Sequence, residues 1–149
     1  FDRDTPDGYP ENGPSWISAG TLVERTRFVQ SYAIAAGQPG HTGSINDAGN
    51  CTCDVVKLLQ SQLPAASWTN AAAVADYFLG ILFPGEGAGN LALYRSSGIN
   101  FLNDGSADNP PSSTAFAGLT VSGTAGSTYD TRVRGMVGLL LTLPRFQEQ

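Results

Sequence analysis

Apolar residues recur at helical spacing along most of this chain. In ISAGTLVERTRFVQSYAIAA, residues 17–36, Leu22, Phe28, Val29, Tyr32, Ala33 and Ala36 share one face of a 3.6-residue period. Ser18 is placed to cap this helix, with Ile17 and Leu22 as a hydrophobic staple, and Thr21 and Glu24 offer a rival capping box one turn later. Gly37 and Pro39 end it. A short helix follows in CDVVKLLQSQL and stops before Pro64. SWTNAAAVADYFLGILFPG carries the clearest stripe, with Val74, Tyr77, Phe78, Ile81 and Leu82 at i, i+3, i+4, i+7 and i+8 before Pro84 and Gly85 terminate it. AGNLALYRSSGINFLN reads as a fourth helix, weakened by Gly98. In YDTRVRGMVGLLLTL, Val133, Met136, Val137, Leu140 and Leu141 form the last stripe, which Pro144 stops, leaving RFQEQ to trail out.

Two stretches break the period. GQPGHTGSINDAGN is a turn-rich connection. Asn103–Ser127 holds many turn formers and little periodicity, an unusual length for a structureless loop. Within 112–123 the loose alternation of STAFAGLTVSG allows one short strand, or an arm that packs on a neighbour. The similar SWISAGTLV and SWTNAAAV are shared helix-start grammar, not a domain repeat. The expectation is a mainly α fold: a single helical domain over 1–149, with four or five amphipathic helices around one core and long turn-rich loops.

Charge narrows the function classes. Only 14% of residues are charged and 41% are hydrophobic, so the surface is rich in Ser, Thr, Asn, Gly and small apolar groups. Such a surface sheds water cheaply when it meets a neighbour, which favours association with copies of itself. The net charge of −5 and the lack of any basic cluster argue against nucleic acid as a partner. The longest apolar runs, VGLLLTL and YFLGILF, are too short to span a bilayer.

Several residues suggest chemistry, each beside a plainer explanation. Asp2, Asp4, Asp7 and Glu11 cluster around a Gly turn, as oxygen ligands of calcium would, but Pro6 stands where a calcium loop has an acid at its fifth place and Asp7 where it has Gly at its sixth. A solvated acidic turn is the plainer account, and no other cofactor is implied. Cys51 and Cys53 in NCTC could form a strained local disulfide or stay as two thiols. Zinc is weakly supported, because His41 is the single histidine. Asn50-Cys51-Thr52 matches the N-glycosylation triplet.

PGEGAGNL places glycines before a helix, where anions bind, yet a helix–helix turn needs the same residues. Asp130 and Arg134, at i and i+4, can pair along a helix, and Arg132 can reach another segment. Together the arginines would suit an anion clamp, or more simply structural ion pairs. Glu24 has no neighbouring His or acid, so pairing with Arg27 is a better account of it than acid–base work. Trp16 and Trp68 could line a glycan-binding face, but each precedes a helix on which its ring can pack. No serine sits in a G-x-S-x-G elbow, and no catalytic residue is expected in this chain.

Three stretches, TPDGYPENGPSWISAGTLVERTRFV, ADYFLGILFPGEGAGNL and YDTRVRGMVGLLLTLPRFQEQ, resemble the carboxyl-terminal part of the DUF-eighteen-hundred family, secreted bacterial proteins of unknown function. The resemblance covers both ends and the middle. It implies a longer parent in which Phe1 is an interior position, and an extracellular or cell-surface location in a bacterium. It carries no catalytic residues. NCTC and Asn103–Ser127 fall outside the family pattern. The function expected is a secreted or cell-surface structural module that self-associates, such as a filament subunit. The alternatives are a non-catalytic support within a larger secreted enzyme, or a module binding a glycan or the cell envelope through Trp16, Trp68 or Tyr9.

Overall fold

A computed structural model describes residues 19–33, 53–106 and 108–147. The α-helices are α1 (Ala19–Ala33), α2 (Val55–Gln62), α3 (Ala71–Leu82), α4 (Ala88–Asn103), α5 (Thr128–Thr142) and the short α6 (Pro144–Gln147), with 3-10 turns at Ala65–Ser67 and Phe116–Gly118. The mainly α expectation holds. Helix α5 is the hub: α1, α2, α3, α4 and α6 all pack against it, and α3 and α4 form a hairpin beside it.

Polar side chains start the helices by accepting otherwise unpaired amide protons. Asp54 accepts from the Lys57 amide at 3.0 Å, Asn70 from the Ala72 and Ala73 amides, and Ser127 from the Asp130 amide. The Val133, Met136, Val137, Leu140 and Leu141 stripe of α5 is buried as its spacing requires. It meets Val55, Val56 and Leu59 of α2, Val74, Phe78 and Leu79 of α3, and Leu102 of α4 in one core. Each large apolar side chain removed from water here contributes about 1.5–3 kcal/mol before entropy is counted. Buried Tyr129 stacks on Phe116, with ring centres 5.3 Å apart, and donates its hydroxyl proton to the Trp68 carbonyl at 2.7 Å. Phe83, Tyr94 and Phe146 form a second aromatic group that seats α6.

Three expectations are corrected. No strand forms in 112–123. Phe116–Gly118 is a 3-10 turn, and the backbone groups beside it are taken by side chains: the Phe116 amide donates to Asn103 Oδ1, and the Thr114 carbonyl accepts from Arg132. With those groups engaged, no neighbouring strand is needed to satisfy them. Pro144 does not release the chain. It occupies the first position of α6, where its missing N–H is no loss. On α1, Val29 and Ala33 are buried, but Leu22, Phe28 and Tyr32 are exposed. Val29 and Ala33 face the core while Phe28 and Tyr32, in the same half of the helix, face away from it, so only one edge of the expected stripe is covered. Ile81, at the edge of the α3 stripe, is likewise exposed.

Candidate functional site: the buried arginines of α5

Alternate positions on α5 carry two guanidinium groups to different neighbours. Arg132 turns toward the loop after α4. Its Nε donates to Asp108 Oδ1 at 3.0 Å and one terminal nitrogen donates to Asp108 Oδ2, a two-pronged pair. The other terminal nitrogen donates to the carbonyls of Leu102 and Thr114, at 3.0 and 2.9 Å. One side chain thus ties the last turn of α4, the 104–115 loop and α5 together. Both side chains of the pair are only 2% exposed.

The loop is shaped to deliver Asp108. The Asp108 and Ser112 amides both donate to the Gly105 carbonyl, closing a tight turn. Gly105 has to be glycine: a Cβ there would collide with the Ser112 carbonyl oxygen and lie 2.5 Å from the Arg132 guanidinium. Asp104 accepts from the Ser106 amide at 2.9 Å, and that bond holds its carboxyl below the usual range.

Arg134 reaches the other way. Its Nε donates to Asp130 Oδ1 at 2.8 Å, and a terminal nitrogen donates to the Ala33 carbonyl at 3.2 Å and the Cys53 carbonyl at 2.7 Å. Asp130 is held in turn by the Gly126 amide, which donates to Oδ2. Asp54 lies 3.6 Å from Arg134. Burial alone would raise the Asp54 pKa, but the Lys57 amide and ammonium and the Arg134 guanidinium outweigh it and hold the pKa below the ordinary value. The end of α1 and the start of α2 therefore meet at one arginine, and the Cys53 amide donates to the Tyr32 carbonyl at the same place.

Every buried side-chain nitrogen and oxygen among the described residues has a hydrogen-bond partner. The arginines are structural ion pairs, and the clamp that would hold an anion is already filled by Asp108, Asp130 and backbone carbonyls. At the start of α4, where PGEGAGNL suggested an anion site, Glu86 takes the place. It accepts from Asn90 at 2.8 Å and from Arg145, and these two bonds hold its carboxyl below the usual range.

Glu24 pairs with Arg27 at 2.8 Å. Trp68 packs against the core and donates its indole N–H to the Leu63 carbonyl at 2.8 Å. Cys53 is half-buried beside the core. Asp2, Asp4, Asp7, Tyr9, Trp16, His41, Asn50 and Cys51 lie outside the described residues. Among the described residues, no group of three or more His, Cys, Asp and Glu side chains could hold a metal ion, and no helix is long and apolar enough to cross a membrane.

Sequence reasoning did not single out Asp108. The available signal was scarcity: Asp104 and Asp108 are the only charged residues in the long 103–127 stretch, which faces a helix carrying two arginines.

Several large apolar side chains remain on the surface among the described residues. Leu22, Val23, Phe28 and Tyr32 are exposed on α1, Ile81 on α3 and Leu93 on α4. A shallow groove between α1 and α6 is lined by Glu24, Arg25, Phe28, Val29 and Phe146. No protein-family model, curated protein or solved structure matches the chain.

Proposed function

We propose that this chain is a self-associating structural module of a secreted or cell-surface bacterial protein, suited to serve as a filament subunit. The observation that carries the proposal is the distribution of apolar surface. Leu93 is 66% exposed, and Val23, Phe28 and Ile81 are each close to half exposed. They lie in a chain with only 14% charged residues to keep copies apart. Large exposed apolar side chains on such a surface gain from mutual burial. The resemblance of the terminal motifs to the DUF-eighteen-hundred family supports the bacterial and extracellular part of the proposal.

Sedimentation velocity across a wide concentration range tests it. Mass that rises with concentration, and falls back in a Phe28→Ser/Leu93→Ser variant of unchanged helicity, is the expected result. A chain that stays monomeric throughout overturns the proposal.

A further inference from the structure

We infer that copies of this chain join head to tail, with the Asp104 turn of one copy seated on the Arg25 groove of the next. The inference rests on the self-association proposed above and names the two surfaces that meet.

The charge pairing of the fold points to these two residues. Among the described residues, every Lys and Arg except Arg25 forms an ion pair within its own chain, and every Asp and Glu except Asp104 does the same. Arg25 and Asp104 are both exposed. One cation and one acid are thus left over for a partner, and a second copy carries both.

The two lie toward opposite ends of α5. Asp104 belongs to the turn docked on Arg132, near the start of that helix. Arg25 shares its groove with Phe146 of α6, beyond the last residue of α5. The run from Arg132 to Thr142 alone spans about 15 Å at 1.5 Å per residue. The fold holds this cation and this acid apart, and a second copy can bring them together.

The surroundings of the two charges also match. Arg25 stands at an open groove of about 410 Å³ whose walls include Phe28, Val29 and Phe146. The Ser112 amide donates to the Gly105 carbonyl, and the loop it closes beside Asp104 carries Pro110 and Pro111, both exposed. Aromatic-lined grooves take proline-rich segments by packing rings on rings. An exposed ion pair adds little affinity by itself. Its part here is to fix orientation and register, while the prolines and aromatic rings supply the apolar area. Because the two patches differ, a pair of copies leaves one patch open at each end, and the next copy fills it. Such a contact repeats into a filament, or into a ring if the rotation closes.

Sedimentation velocity of the unmodified chain, of Arg25→Glu, of Asp104→Lys and of an equimolar mixture of the two variants tests the contact. The unmodified chain should grow past the dimer. Each variant alone sets like charges opposite one another and should assemble roughly tenfold more weakly or worse. In the mixture the two introduced charges are opposite in sign, as are the two native ones that remain, so assembly should recover. Variants that assemble like the unmodified chain, a mixture no better than its components, or growth that stops at the dimer overturns the head-to-tail contact while self-association stands. An unmodified chain that stays monomeric overturns both.

Asp104 also accepts from the Ser106 amide, and Asp104→Lys removes that bond from the turn. Asp104→Asn keeps an acceptor there and removes only the charge. It should weaken assembly at low salt and leave the remainder less sensitive to added salt. A salt response equal to that of the unmodified chain overturns the contact.

Discussion

Arg132 and Asp108 meet edge to edge through two hydrogen bonds, 24 residues apart in sequence and with each side chain 2% exposed. Removing one charge strands the other in the core. Asp108→Ala is expected to cost about 3–5 kcal/mol, whereas the double change Arg132→Met/Asp108→Leu, which strands no charge, should cost less despite leaving the Leu102 and Thr114 carbonyls without that donor. Denaturant midpoints of both variants check this, and a single variant no worse than the double would refute it.

The turn that carries Asp108 makes a sharper steric demand. A Cβ on Gly105 collides with the Ser112 carbonyl, which cannot move without opening the turn. Gly105→Ala should destabilise by about 1–3 kcal/mol, a fall of roughly 2–4 °C in Tm per kcal/mol. Gly85→Ala is the control, because nothing lies within 4 Å of its added carbon. Its effect should stay within about 0.5 kcal/mol. Equal losses at the two positions would sink the steric account.

Tyr129 sets an alkaline limit. Burial pushes its phenol up to about 12 from an ordinary value of 10.0. Above the ordinary value an unfolded chain gives up this proton while the folded chain keeps it, so the unfolded state binds fewer protons and stability falls with rising pH. The contribution is whole below pH 10 and is lost as pH climbs toward 12. Phenolate absorbance should show a late-titrating component that Tyr129→Phe removes, and Tyr129→Phe should flatten the decline in Tm across that window. The variant also leaves the Trp68 carbonyl without its donor, at a cost of about 1–3 kcal/mol at neutral pH. A decline unchanged by the substitution would assign the alkaline limit to another group.

The helices were legible because their information is local. The α5 stripe follows from residue spacing, and the ends of α2 and α3 follow from Pro64 and from Pro84 with Gly85. The Asp130–Arg134 pair was legible for the same reason, one helical turn apart. What stayed hidden depends on neighbours distant in sequence. Leu22 and Phe28 have the spacing of a buried face, but which edge of the stripe a neighbouring helix meets decides what is covered, and here it is Val29 and Ala33. The arm at 112–123 alternates like a strand, yet Asn103 and Arg132 claim backbone groups that a ladder would use. Asp108 is one of two acids in a polar loop until the fold brings Arg132 to it.

The central place of α5 also sets an order of events during synthesis. Helices α1 to α4 leave the ribosome before the helix that all of them pack against has been made. Their apolar faces then have only one another, chiefly the α3–α4 hairpin, to shelter them. A domain whose N-terminal half could mature first would begin folding during translation. Here the core closes only when α5 arrives, so the nascent chain depends on speed, or on a chaperone, to keep its unburied faces apart until then.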